Sequence, residues 1–202
     1  EWIAGIGREK SSPDALASRI LPPLLYGDGH PYAIPFTGSG TEASIAALTR
    51  DELLAFHRDW LRPDNATLIV TGDVTAEAIL PLLEKHFGDW RPAASERPDK
   101  PLRAAARATA PRVFLIDKPG AVQSNILVGQ VTAPSSADNR LEMDTMNDVL
   151  GGSFTSRINM NLREAKNWSY GVRSSLPDAR GERPWLLSAP VQTDKTVESI
   201  RE

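Results

Sequence analysis

Gly151 to Val172 reads GGSFTSRINMNLREAKNWSYGV, and the rest of the chain is organised around it. A double glycine can stop a preceding helix, Ile158 and Leu162 mark the apolar face of a new one, and Tyr170 to Ser175 has the make-up of a strand. This spacing predicts a helix end and a following strand that present Arg163 and Tyr170 together. Immediately upstream, Asp138 is a suitable cap for a helix over 141–150 ending at Gly151-Gly152. Downstream, Trp185 to Thr193 reads as a strand in which Pro190 predicts an edge or a bulge. Further upstream, 112–117 (RVFLID) and 122–131 (VQSNILVGQV) read as two strands joined by the turn Lys118-Pro119-Gly120-Ala121.

The amino-terminal half has the same mixture. Pro13-Asp14 starts a helix that Pro22-Pro23 should disturb or end, and residues 27–35 carry the glycines and prolines of a loop. Thr49-Arg50-Asp51-Glu52 is a capping box, in which hydroxyl and carboxylate satisfy reciprocal backbone N–H groups ahead of Leu53, Leu54, Phe56 and Trp60. Arg62-Pro63-Asp64-Asn65 makes a turn, and 66–71 (ATLIVT) has the length and β-branched content of a central strand. Thr75 caps a helix running to Gly88, with Pro81 in conflict inside it. From Arg91 to Pro111 the composition turns to Pro, Ala, Arg and Ser, the signature of a linker. Strands and helices without regular βαβ alternation predict an α+β fold, with mixed, largely antiparallel sheets flanked by helices.

The 202 residues suffice for a core without staples, and the absence of cysteine excludes disulfides, thiolate metal sites and thiol nucleophiles. A net charge of -3 gives no electrostatic reason to expect nucleic acid or an anionic membrane, and no apolar run is long enough for a membrane span. Periplasm and cytoplasm would both suit such a chain. The opening Glu1-Trp2-Ile3 and the helix-like close at Val197 to Glu202 suggest a piece of a longer polypeptide.

Three histidines, His30, His57 and His86, stand in no H-x-x-E-H or H-E-x-x-H arrangement, so no metal ligands are nominated. His30 reads as a turn residue, and the other two as helix residues. Gly38 to Ala43 (GSGTEA) has the letters of a dinucleotide-binding turn, but Pro35 stands where that fingerprint requires a buried parallel strand; a flexible lead-in to the Thr49 helix is the plainer reading. Glu142, Asp144 and Asp148 read as the solvated face of a helix, and no catalytic residue is nominated.

Ordered signposts then point to a family. His30-Pro31-Tyr32, Leu48 to Leu53, Arg62 to Thr67, Gly72-Asp73, Phe87 to Trp90, Asp117 to Ser124, Leu150 to Arg157, and Leu162-Arg163-Glu164 with Tyr170-Gly171 are collinear over nearly the whole chain. Together they resemble the M16 (pitrilysin or insulinase-like) zinc metallopeptidases. The resemblance implies that 1–95 closes one α+β homology unit, 96–110 links, and 111–202 opens the next. It also implies zinc ligands upstream of this region, hence no cofactor in this piece, zinc in the complete enzyme, and no activity for the piece alone. In bacterial relatives a catalytically silent unit closes over the zinc-bearing one, and an Arg-Tyr pair binds the peptide backbone; Arg163 and Tyr170 match that pair. The partners implied are a peptide substrate and a zinc-bearing half, in the same chain or in a partner subunit. The alternative is a non-enzymatic structural or interaction subunit of the same fold.

Overall fold

The structure, a computed structural model, describes residues 1–92, 94–105, 108 and 110–202. It divides into two units, one of Glu1–Glu42 with Pro101–Glu202, the other Ala43–Lys100. In the first unit, α1 (Trp2–Ser11) and α2 (Pro13–Tyr26) precede a three-stranded sheet of β1 (Gln123–Pro134), β2 (Arg173–Ser175) and β3 (Glu182–Gln192). Helix α3 (Glu42–Ala47) crosses the boundary, and the second unit holds α4 (Arg50–Trp60) and α5 (Ala76–Phe87). Between β1 and β2 lie α6 (Arg140–Asn147) and the short α7 (Arg157–Asn159), each continuing into a wide π-type turn, Asp148–Gly152 and Met160–Ala165. Helix α8 (Thr196–Arg201) follows β3. Helices with an antiparallel sheet are the α+β class read from the sequence.

The strand order is β1-β3-β2, with both pairings antiparallel. Alternation along β3 sends Leu187, Ala189 and Val191 to one face, where they bury with Leu162 and Val172 against Ile126, Ile158, Trp168 and Trp185. On another side, α2 packs on β1, and Tyr26, Ala105 and Val131 form a second cluster with Leu25 and Tyr32. A Cβ at Gly129 would lie 2.9 Å from Leu25 Cδ1 and 3.0 Å from Leu21 Cδ2, so the glycine lets these α2 leucines pack close on β1.

Proline placement departs from expectation in three places. Pro22 and Pro23 lie inside α2, which continues to Tyr26. Pro22 cannot donate to the Ser18 carbonyl, and the Phe36 N–H takes that acceptor instead at 3.0 Å, so the helix survives the missing bond. Pro190 sits in the central strand rather than on an edge. Its carbonyl accepts from Ser169 Oγ at 2.5 Å, so its backbone groups face away from β1, beside a stretch where β2 is no longer paired. Pro81 likewise lies within an unbroken α5.

Two expected strands are absent. Residues 66–71 and 112–117 carry no ladder among the described residues, and their apolar side chains face solvent, Ile69 at 80%, Val113 at 92% and Leu115 at 93% exposed. Apolar, β-branched composition favours a strand only when another strand supplies the hydrogen bonds. The expected strand 122–131 forms as β1, but 170–175 contracts to β2. The helix over 141–150 runs through the glycine pair as a π turn, and the residue at its N-cap position is Asn139 rather than Asp138. Within the composition-defined linker, Ala93, Ala106, Arg107 and Thr109 lie outside the described residues; Ala105 is buried, its N–H donating to Glu182 Oε2 at 2.6 Å.

In the second unit the capping box forms as read. The Glu52 N–H donates to Thr49 Oγ1 at 3.2 Å, and the Thr49 N–H to Glu52 Oε2 at 2.7 Å. The Thr49 N–H, assisted by the Thr49 hydroxyl, holds the Glu52 carboxyl below the usual carboxylate range. Arg62, buried, grips Asp64 with Nε and Nη2, each at 2.9 Å, and donates to the Ser95 carbonyl, which fixes the turn at Pro63–Asn65. No helix among the described residues is long and apolar enough to cross a membrane.

Candidate functional site

The π turn Met160–Ala165 gives Arg163 its position. Its wide winding brings the Lys166 N–H to the Asn161 carbonyl at 2.9 Å, and Asn167 then closes it with a φ of 55°. Asparagine tolerates that left-handed conformation, which suits the end of a helix. The Trp168 N–H returns to the Leu162 carbonyl at 2.9 Å, and the chain turns back past Tyr170 into β2.

Arg163 and Tyr170 are thereby brought together. The guanidinium carbon lies over the Tyr170 ring at 5.3 Å from its centroid, and over the Phe154 ring at 4.5 Å. Nε of Arg163 is 3.2 Å from Glu164 Oε1, whereas the two Nη groups have no hydrogen bond among the described residues. Tyr170 is 85% exposed, so its hydroxyl faces solvent. The arrangement offers N–H and O–H donors side by side, suited to donating to carbonyl oxygens rather than to taking up protons.

Buried and half-buried polar side chains fix the backbone around this surface. Asn159 donates from Nδ2 to the Phe154 carbonyl at 2.6 Å and accepts from the Val172 N–H at 2.9 Å. Ser169 Oγ accepts from the Gly171 N–H at 3.1 Å. Asn147 Oδ1 accepts from Ser174 Oγ at 2.7 Å and from Trp185 Nε1 at 3.0 Å, linking α6 to β2 and β3. A Cβ at Gly151 would lie 2.5 Å from Ser174 Oγ, so Gly151 lets the π turn press against β2. The sequence singles out Arg163 and Tyr170 but neither Phe154 nor Asn159, because a lone ring in a loop or a lone amide in a one-turn helix carries no periodic signal.

Other residues weighed from the sequence have structural partners. His30 stacks on Tyr26 with centroids 4.8 Å apart. Its Nδ1 accepts from the Tyr32 N–H at 3.0 Å, which leaves Nε2 to donate to the Arg103 carbonyl at 2.9 Å. His57 and His86 are exposed on α4 and α5. The Gly38 to Ala43 stretch is pinned rather than flexible up to Glu42. Buried Arg19 donates to Glu9 Oε2, Ser39 Oγ and the Gly40 carbonyl at 2.6–2.7 Å, and Lys10 pairs with Glu42. Glu9 is held below its usual range chiefly by the Ser39 hydroxyl, with Arg19 assisting. Asp144 is not merely solvated, since it accepts from Nη2 of buried Arg183 at 3.0 Å.

No group of three or more His, Asp or Glu side chains among the described residues could hold a metal ion. The donor set of a catalytic zinc is therefore not found among them.

A family model described as "Peptidase M16 inactive domain" matches residues 47–202. The chain belongs to the M16 peptidase family. It is similar to an uncharacterized zinc protease of Mycobacterium leprae, 30% identical over 169 residues that make up 84% of this chain and 37% of that protein. Among solved structures, the M16 inactive domain from Pseudomonas fluorescens superposes with a TM-score of 0.83 at 23% identity, over 99% of this chain and 47% of that one. A protease from Helicobacter pylori gives 0.84 at 21% identity, over 96% of this chain and 46% of that one. The M16 chain thus spans under half the length of these relatives, and its matched region is an inactive-domain region of the zinc protease family.

Proposed function

We propose that this chain is the substrate-holding part of an M16 zinc peptidase, in which Arg163 and Tyr170 donate hydrogen bonds to the backbone of a bound peptide. A zinc-bearing half, in the same polypeptide or in a partner subunit, supplies the metal chemistry. The observation that carries the reading is the approach of the Arg163 guanidinium to the exposed Tyr170 ring, with no hydrogen bond from either Nη among the described residues. Arginine presents a rigid fork of donors, and a tyrosine hydroxyl adds another. At a water-excluded interface such donors position a carbonyl and stabilise charge developing on its oxygen.

Pairing with another half is supported by the exposed apolar runs at 68–70 and 113–116, since contiguous apolar surface of this kind marks interaction sites. The homology division into 1–95, 96–110 and 111–202 belongs to the same proposal. In the complete protein, Arg163→Ala with Tyr170→Phe is expected to lower cleavage of an unstructured peptide by about 100-fold, two lost transition-state donors at about tenfold or more each, with zinc content unchanged. Full activity in the double variant would remove the proposed role. A stable partner with no peptide affinity would favour a structural subunit instead.

A further inference from the structure

We infer that Phe154 is a positioning residue for Arg163, setting the guanidinium where it meets a peptide backbone; the inference rests on the reading of Arg163 just given. The ring is half exposed, and the cation over its face at 4.5 Å is nearer than it is to the Tyr170 ring at 5.3 Å. A cation within about 6 Å of a ring centroid is attracted by the ring's quadrupole. A long side chain on a surface otherwise loses its rotamer freedom at the moment of binding. Contact with Phe154 and with Glu164 through Nε restricts that freedom beforehand, while neither Nη is hydrogen-bonded among the described residues.

The backbone supports the same conclusion. Buried Asn159 holds both the Phe154 carbonyl and the Val172 N–H, so a single amide sets the loop that carries one ring and the segment that carries the other. Ser169 adds a second tie beside Tyr170, its hydroxyl donating to the Pro190 carbonyl at 2.5 Å while accepting from the Gly171 N–H at 3.1 Å. Phe154 is thus placed as firmly as Tyr170, although it offers no donor of its own. Its contribution to a bound peptide runs through the arginine.

The test uses the complete zinc-containing protein and cleavage of an unstructured peptide. Phe154→Leu, which keeps apolar bulk and removes the ring, is expected to lower kcat/KM by roughly five- to tenfold, in the range that loss of a cation–π contact implies. Phe154→Tyr is expected to keep activity within about twofold, since the ring face is retained. On an Arg163→Ala background, Phe154→Leu is expected to change nothing further, the sign of two residues acting as one unit. Phe154→Met is the second ring-less variant, should Leu fold poorly. If Arg163→Ala is itself without effect, the substrate-holding reading fails and takes this inference with it. If Arg163→Ala lowers activity while both ring-less variants are fully active, or act equally with and without Arg163, the inference alone is overturned.

Discussion

Leu186 to Val191 in β3 and Leu68 to Val70 in the second unit are both short apolar runs, yet they end in opposite environments. Val191 is fully buried, while Ile69 is 80% exposed. By intrinsic preference the second run, with adjacent isoleucine and valine, is the better strand. The difference is pairing. β3 has β1 along one edge and β2 along part of the other, whereas 66–71 has no partner among the described residues. Strand formation is therefore a property of the neighbours as much as of the run.

The largest expected effect sets the buried core against these runs. Leu162→Ala removes a side chain from the main cluster and should cost about 2–5 kcal/mol by denaturant unfolding. Leu115→Ala, at a position 93% exposed, should cost no more than about 0.5 kcal/mol in the 202-residue chain. Equal costs would break the contrast. Repeating Leu115→Ala in the longer protein sharpens it, because a cost rising toward about 2 kcal/mol would show that the run becomes covered there.

A smaller effect separates two glycines. Gly151→Ala forces a Cβ to within 2.5 Å of Ser174 Oγ and should destabilise by about 1–3 kcal/mol. Gly7, within α1, has nothing within 4 Å of the place a Cβ would take, and Gly7→Ala should instead stabilise by about 0.5–1 kcal/mol. Thermal melts of the two variants moving in the same direction would contradict the packing assigned to Gly151. In the second unit, Thr49→Ala removes the N-cap of α4 and should cost about 1 kcal/mol. Its amide exchange should rise in α4 and not in the sheet; protection lost in both would mean that the units unfold as one.

The smallest effect is acid dependence in the Arg19 loop. The Glu9 carboxyl is lowered from 4.5 by Ser39 first and by Arg19. A depressed folded value adds stability above the unfolded value, and that stability is lost as pH falls through the folded one. Glu9→Gln should therefore cost most at neutral pH and progressively less as pH falls below about 4.5, which flattens this part of the stability profile. An unaltered acid limb in the variant would show that the Ser39 and Arg19 contacts do not discriminate between the protonation states.

The sequence is legible where the physics is local. The capping box at Thr49, the helix start at Pro13 and the turn before β1 depend on residues close together in the chain. The features that escape it depend on distant partners. Pro22 is tolerated because Phe36 takes the released Ser18 carbonyl, and Pro190 because its backbone faces Ser169 rather than β1. Neither exchange can be read from the run around the proline. At the candidate site, Arg163 and Tyr170 are legible from family resemblance and spacing, and the guanidinium does lie over the tyrosine ring. Phe154 is not legible, since its role depends on a cation nine residues on that arrives over its ring only through the π turn.

If Arg163 and Tyr170 hold a peptide backbone, binding reports it without the complication of turnover. The measurement is the Kd of an unstructured, fluorescently labelled peptide for the complete protein with its zinc removed, followed by anisotropy, for wild type and for Arg163→Ala with Tyr170→Phe. The expected result is binding weakened by about tenfold or more in the variant, as the loss of charge-assisted and neutral hydrogen bonds together implies. Equal affinity in the two proteins would contradict the proposed role of the pair.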